Sequence, residues 1–105
     1  MKVQGDLFFI KVEKIPEDAR RIKPEGNRYV LARGEATGHA HAVLAQDVEL
    51  FEKDGTFYLR VLRPVQVIHE EHLPINLDYG VWRVGIQREY DPLSKSSEQI
   101  RPIID

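Results

Sequence analysis

Val48-Glu-Leu-Phe-Glu-Lys-Asp-Gly-Thr-Phe-Tyr-Leu-Arg-Val-Leu62 is the stretch that decides the fold, because two apolar-rich runs flank its central Asp54-Gly55. An Asp-Gly pair between such runs favours a two-residue hairpin turn, in which both central residues take positive φ angles. We therefore predict strands over Val48–Glu52 and Thr56–Leu62, joined by a tight turn. A hairpin at the centre of the chain predicts a β protein.

Further strands are predicted on both sides of this hairpin, where Val, Ile, Phe and Tyr concentrate. They cover Gly5–Val12, Tyr29–Ala32, His39–Leu44, Val65–His69, and a second hairpin of Leu73–Leu77 with Val81–Tyr90 around Asp78-Tyr-Gly80. The charged segment Ile15–Gly26 is bounded by prolines and is predicted to be a surface loop.

The fold class that follows is all-β: a small single-domain barrel or sandwich of about seven short, mainly antiparallel strands. Residues 1–90 are predicted to form this domain, and residues 91–105 a C-terminal tail. Ile100–Ile104 in that tail is apolar enough to add a short edge strand.

Composition narrows the class of protein. The chain has 105 residues, 42% hydrophobic and 30% charged, with a net charge of −2 and no cysteine. Disulfides and thiolate metal sites are therefore excluded. No apolar run approaches the roughly 18 residues of a membrane-spanning helix. Residues 1–6 lack the apolar segment of a signal peptide, so we expect a cytoplasmic protein without a membrane partner.

The four histidines form two tight pairs, His39 with His41 and His69 with His72. Alternate residues of a strand share a face, so His39 and His41 are expected to point the same way, about 7 Å apart. In His69-Glu-Glu-His72 both rings reach one site only if the backbone bends, and Pro74 favours a strand end there. We predict that these four histidines bind one metal ion.

A histidine set without cysteine suits a divalent metal ion such as Zn, Fe, Mn or Ni, and does not choose among them. Glu71 and Glu35 lie beside the histidine segments and are the candidate general bases, with Glu71 also a candidate ligand. The alternative is structural: a His-x-His strand is often half-buried without any ligand, and neighbouring carboxylates can balance imidazolium charge. Glu35 is then an ordinary turn residue.

Other chemistries fit less well. The three serines all lie in the tail segment 94–97, so a serine nucleophile has no partner in the predicted domain. The glycines of segment 34–38 are not followed by the lysine of a phosphate-binding loop. Arginines and aromatic residues are scattered over the strands, and the acidic net charge argues against a nucleic-acid partner.

Part of the chain resembles the cupins, which are small metal-binding β-barrels. His39-Ala-His41 is similar to the cupin His-x-His, and His72-Leu-Pro-Ile-Asn76 is similar to its second His-x-x-x-Asn motif. Ala45 and Gln46 stand where cupins carry a metal-binding glutamate. The resemblance implies a small β-barrel with cupin-like small-molecule chemistry, and the missing glutamate argues against a complete cupin metal site.

A second resemblance spans most of the chain. Gln4-Gly-Asp6, Gly34-Glu-Ala-Thr-Gly-His-Ala-His41, His69-Glu-Glu-His72 and Gln87-Arg-Glu-Tyr90 look like segments of a family of small, uncharacterised bacterial and phage proteins. The resemblance implies that the histidine segments belong to one design, and it brings no activity with it.

Two functions follow from the sequence. The first is a small metal-binding domain that acts on a small molecule, by metal-assisted hydrolysis or by cupin-like chemistry. The second is a non-enzymatic module, phage or mobile-element related, with structural histidines and a protein partner. An edge strand would then favour homo-oligomers.

Overall fold

The computed structural model describes residues 1–33 and 39–86. Its strands are β1 (Lys2–Gln4), β2 (Leu7–Val12), β3 (Arg20–Ile22), β4 (Arg28–Arg33), β5 (Ala40–Leu44), β6 (Val48–Lys53), β7 (Thr56–Val61), β8 (Val65–Ile68), β9 (Ile75–Leu77) and β10 (Gly80–Ile86). One turn of 3₁₀ helix, Ala45–Asp47, lies between β5 and β6.

Two antiparallel sheets form a sandwich. The six-stranded sheet has the order β1-β2-β10-β7-β6-β3, and the four-stranded sheet has the order β4-β5-β8-β9. The all-β prediction is confirmed, and of its two architectures the sandwich is the observed one. Alternate residues of each strand point inwards, which is the pattern that lets two sheets share a core.

Apolar side chains from both sheets meet between the layers. The six-stranded sheet contributes Phe9, Leu50 and Leu59, and the four-stranded sheet contributes Val43 and Val67. All five are at most 1% exposed. Because burial of apolar surface is the dominant favourable term in folding, this layer holds the two sheets together.

The central hairpin forms as predicted. β6 pairs with β7 in a register that places Lys53 opposite Thr56. Asp54 and Gly55 have φ angles of 52° and 82°, the positive values that a two-residue hairpin turn of the favoured hand requires.

Two short strands were missed by the sequence analysis. β1 is three residues long and ends in the polar Gln4, so it has no apolar run to detect. β3 lies inside the segment predicted as a loop. Its Arg20 and Arg21 project from an edge strand and form ion pairs with Glu52 and Glu49 of the neighbouring β6. Charged residues on an edge strand discourage pairing with other chains. In the sequence, such a strand is hard to distinguish from a charged surface loop.

The predicted second hairpin is wrong. β9 pairs with β8 in the four-stranded sheet, whereas β10 pairs with β2 and β7 in the six-stranded sheet. The segment between β9 and β10 crosses from one sheet to the other. There the Trp82 indole N–H donates a hydrogen bond to the carbonyl of Asp78, at 2.9 Å.

Some predictions fall outside the described residues. These are the role of Glu35 and the glycine-containing segment 34–38, the end of the last strand beyond Ile86, the tail 91–105 and its edge strand Ile100–Ile104. Within the described ranges, no helix is both long enough and apolar enough to cross a membrane.

The shared core makes a testable prediction. Leu59→Ala removes a fully buried side chain of β7 and should lower the free energy of unfolding by about 2–5 kcal/mol. Leu62→Ala, one residue beyond the same strand, is the matched control because Leu62 is 45% exposed. Urea unfolding of both variants measures the difference. Equal losses would contradict the assignment of Leu59 to the core.

Candidate metal centre

Three segments from the two sheets meet at one end of the sandwich. They are the turn between β1 and β2 at residues 5–6, the start of β5, and the loop of residues 69–74 between β8 and β9. β8 ends at Ile68, immediately before His69, so the histidine pair of this loop is free of strand alternation. The bend that the sequence analysis required is present.

The four imidazole rings lie together at this end. His69 is central: its ring centroid is 4.3 Å from that of His41, 4.6 Å from that of His72, and 5.7 Å from that of His39. The rings of His41 and His72 are nearly parallel, with centroids 6.1 Å apart. The two sequence pairs therefore form one cluster, as their spacing predicts.

A compact ligand set lies within this cluster. His39, His69 and Glu70 each offer one ligand atom, and the three atoms lie within 4.8 Å of one another. The backbone N–H of Ala40 donates to Oε1 of Glu70 at 3.0 Å, which ties the loop to β5. That hydrogen bond, more than the nearby histidines, lowers the pKa of Glu70 and favours the carboxylate.

Glu71 contacts two of the histidines. Its backbone N–H donates to Nδ1 of His69 at 3.0 Å, and its Oε1 lies 3.4 Å from Nδ1 of His39. The backbone contact places the proton of a neutral His69 ring on Nε2. Of the two predicted general bases, Glu71 is thus beside the histidines, and Glu35 lies outside the described residues.

The side chain of Gln4 orients the ring of His41. Its side-chain amide N–H groups donate to the carbonyls of Val67 and Leu73, both at 2.9 Å. Both amide hydrogens are therefore used, and the amide oxygen faces Nδ1 of His41 at 2.9 Å. Gln4 is 2% exposed and His41 is 5% exposed, so water does not compete for these bonds.

This arrangement fixes the tautomer of His41. An amide oxygen only accepts hydrogen bonds, so the proton of the ring must be on Nδ1 and the lone pair on Nε2. Burial, followed by the charge of His69, lowers the pKa of His41 and favours this neutral form. A neutral imidazole with one nitrogen hydrogen-bonded to a fixed acceptor is the usual state of a metal-binding histidine.

Gly5 and Asp6 complete the surroundings of His41. Gly5 has a φ of +60°, and a Cβ added to it would lie 2.8 Å from Nε2 of His72 and 3.2 Å from Cε1 of His41. Oδ1 of Asp6 lies 3.7 Å from Nε2 of His41. The turn between β1 and β2 therefore brings its backbone against two of the rings and a carboxylate next to one of them.

Sequence reasoning found the histidines and Glu71 but gave no role to Gln4, Asp6 or Glu70. In the sequence, Gln4-Gly-Asp6 stands out only by its resemblance to a segment of a family of small bacterial and phage proteins. The one local signal that could have indicated this segment is a polar residue directly before a glycine, at the end of a short strand. Glu70 could have been found only from the fold, because its partner Ala40 lies 30 residues away.

Comparison with known proteins gives a family. The model of a family described as Domain of unknown function (DUF8820) matches residues 3–87. The chain belongs to the DUF8820 family. The match includes all four histidines together with Gln4, so the whole cluster belongs to the DUF8820 domain. No curated protein and no solved structure matches the chain.

Gly5 provides a test of the packing around the rings. Gly5→Ala should displace the rings of His72 and His41, because the added methyl group has no room. Gly26→Ala is the matched control: Gly26 has a φ of +65° and open space around it, so it carries a similar backbone cost without the clash. Histidine chemical shifts in NMR spectra should change in Gly5→Ala alone, and unchanged shifts would contradict this packing.

The lowered pKa of His41 predicts a pH dependence. An unfolded chain protonates His41 near the ordinary value of 6.5, whereas the folded chain does so only at lower pH. The contribution of His41 to stability is therefore complete above pH 6.5 and is lost as the pH falls towards the folded pKa. The free energy of unfolding of the metal-free protein is measured with urea at pH 7.5 and at pH 5.5 (about one unit on either side of that value). It should fall less between these two pH values for His41→Gln than for wild type. An equal fall in the two proteins would contradict the lowered pKa of His41.

Proposed function

We propose that this DUF8820 domain binds a divalent transition-metal ion, with zinc as the leading candidate, between His39, His69 and Glu70. The observation that carries the proposal is the convergence of their three ligand atoms within 4.8 Å. Ligand atoms about 2.0–2.1 Å from one tetrahedral zinc ion are about 3.3 Å apart, so small side-chain rotations complete the site. Two histidines and a carboxylate form a donor set that zinc accepts readily.

Metal binding has a structural consequence at His69. If the metal binds Nδ1, it takes the lone pair that now accepts the N–H of Glu71. If it binds Nε2, the proton of the neutral ring must move to Nδ1, which then becomes a donor. Either route breaks the hydrogen bond between the Glu71 N–H and His69. The amide signal of Glu71 is therefore a specific reporter of ligation by His69.

The reaction class that this set supports is metal-assisted hydrolysis of a small molecule. Three protein ligands leave a position for a water molecule, and zinc lowers the pKa of such a water to about 7. Glu71 is the candidate general base, because its carboxylate lies 3.4 Å from Nδ1 of His39 and is thus next to the proposed ion.

The test is a zinc titration of untagged, metal-free protein, since added histidines of a tag would bind metal themselves. The first equivalent of zinc should bind tightly to wild type and shift the amide signal of Glu71. A His39→Ala/Glu70→Gln double variant should lose this tight first equivalent. Glu13→Gln, an exposed carboxylate outside the cluster, is the control and should behave as wild type.

Failure of the wild-type protein to bind zinc, nickel, manganese or iron would overturn the proposal. The second candidate function, a protein-interaction module, would then take its place. It is favoured by β9, an edge strand flanked by Leu73 and Tyr79, which are 85% and 70% exposed. Exposed apolar residues next to an edge strand are suited to a protein partner or a second copy of the chain. Size-exclusion chromatography of metal-free protein detects self-association.

A further inference from the structure

The four-stranded sheet carries a small cavity next to the proposed metal ligands. The cavity has a volume of about 160 Å³ and is lined by Arg28, Ala40, Ile68, His69 and Glu70. Two of these residues, His69 and Glu70, belong to the ligand set proposed for the ion. A molecule bound in this cavity therefore contacts residues that hold the proposed ion.

The strand register explains how the other lining residues come together. Ala42 of β5 lies opposite Ile68 of β8, and Leu44 of β5 lies opposite Arg28 of β4. Residues opposite each other in an antiparallel pair lie on the same face of the sheet, and so do alternate residues of one strand. Arg28, Ala40 and Ile68 therefore share the outer face of this sheet, away from the core.

The cavity forms where β8 ends. Beyond Ile68 the backbone leaves the sheet, and the carboxylate of Glu70 accepts the hydrogen bond of the Ala40 N–H at 3.0 Å. Ala40 contributes only a methyl group to the cavity, which leaves room above the strand. Ile68 is 47% exposed and supplies an apolar wall. The cavity thus has apolar surface on one part and the proposed metal ligands on another.

Arg28 gives the cavity a positive charge. Its side chain is half-buried. Between residues of the described ranges, 1–33 and 39–86, ion pairs are formed by four other arginines, which are Arg20, Arg21, Arg60 and Arg63. A guanidinium is always charged, and its planar fork binds a carboxylate or a phosphate through two N–H groups. The charge of Arg28 therefore favours an anionic ligand in this cavity.

We propose that this cavity holds the substrate of the proposed hydrolysis, with Arg28 paired to an oxyanion group of the substrate and a short apolar part against Ile68 and Ala40. The inference rests on the proposed function, because the ion offsets the negative charge of Glu70 in the same cavity. A cavity of about 150 Å³ accommodates benzene. The part of the substrate that enters is therefore about that size, and its oxyanion is a carboxylate or a phosphate.

Binding of small anions to the zinc-loaded protein tests the proposal. The probes are butyrate and ethyl phosphate, which carry the two kinds of oxyanion, and butyramide, which resembles butyrate in shape but has no charge. At least one anion should bind to wild type and shift the methyl signals of Ile68 in NMR spectra. Butyramide should bind about 10-fold more weakly than butyrate, because it cannot form a charge-assisted pair with Arg28. The anion that binds more tightly identifies the oxyanion.

Variants of Arg28 test its role. Arg28→Gln should weaken binding of the anion about 10–100-fold, because a charge-assisted hydrogen bond is lost. Arg28→Lys keeps the charge without the fork and should lose less. Both should keep the zinc-dependent shift of the Glu71 amide, which shows that they are folded. Arg63→Gln, whose arginine pairs with Asp47 outside the cavity, is the matched control and should bind the anion as wild type does.

The apolar wall has a separate readout. Ile68→Thr keeps the branched Cβ but removes apolar surface, and it should weaken butyrate about 3-fold in isothermal titration, the effect of losing contact with about one methylene group. Leu62→Thr is the control, because Leu62 is 45% exposed and lies outside the cavity. Equal affinity for butyrate in Ile68→Thr and wild type would overturn the apolar contact.

The outcomes separate this inference from the proposed function. If zinc binds but neither anion does, or if Arg28→Gln binds the anions as tightly as wild type, the substrate cavity is overturned and the metal site remains. Equal affinity for butyramide and butyrate, with no binding of ethyl phosphate, would overturn the oxyanion. No zinc binding in wild type would overturn the proposed function. The anions are then titrated into metal-free protein, where a shift of the Ile68 signals that is lost in Arg28→Gln supports the cavity, and no shift overturns it.

Discussion

The three hydrogen bonds of the Gln4 side chain are the interaction on which the candidate site depends. One amide group joins the end of β1, in the six-stranded sheet, to the carbonyls of Val67 and Leu73 in and beyond β8 of the other sheet. The same group orients His41. A buried amide with every donor and acceptor satisfied has one orientation only, so the packing of the two sheets and the state of the ring are set together.

The strand β5 explains why a polar ring is tolerated at this position. His41 shares the inner face of β5 with Val43, which is in the core, yet it lies near the end of the sandwich where the apolar layer stops. The neighbouring Ala40 and Ala42 point the other way and are also buried. His41 thus lies at the boundary between the core and the cluster of four histidines, where one edge of its ring can be hydrogen-bonded and the other can face a ligand.

Local patterns in the sequence predict those structural features that are set by residues close together along the chain. The hairpin at Asp54-Gly55 was predictable because its turn and its two strands are contiguous, and so was the pairing of histidines at spacings of two and three. Asp78-Tyr-Gly80 carries similar turn residues, but its flanking strands belong to different sheets, which no local pattern reveals. The roles of Gln4 and Glu70 were not predictable for the same reason, because their partners lie 63 and 30 residues away. Tertiary placement decides such positions, whatever the local preference.

The long sequence separations across Gln4 also bear on how the domain folds. Its two carbonyl partners lie 63 and 69 residues further along the chain, so β1 cannot be closed onto the second sheet until most of the domain has been made. Contacts of such range cost loop-closure entropy before they return any stability, and folding rates fall accordingly. During synthesis these two hydrogen bonds can therefore form only after β8 and the loop that follows it have been made, and His69 and His72 of the histidine cluster lie in that same loop.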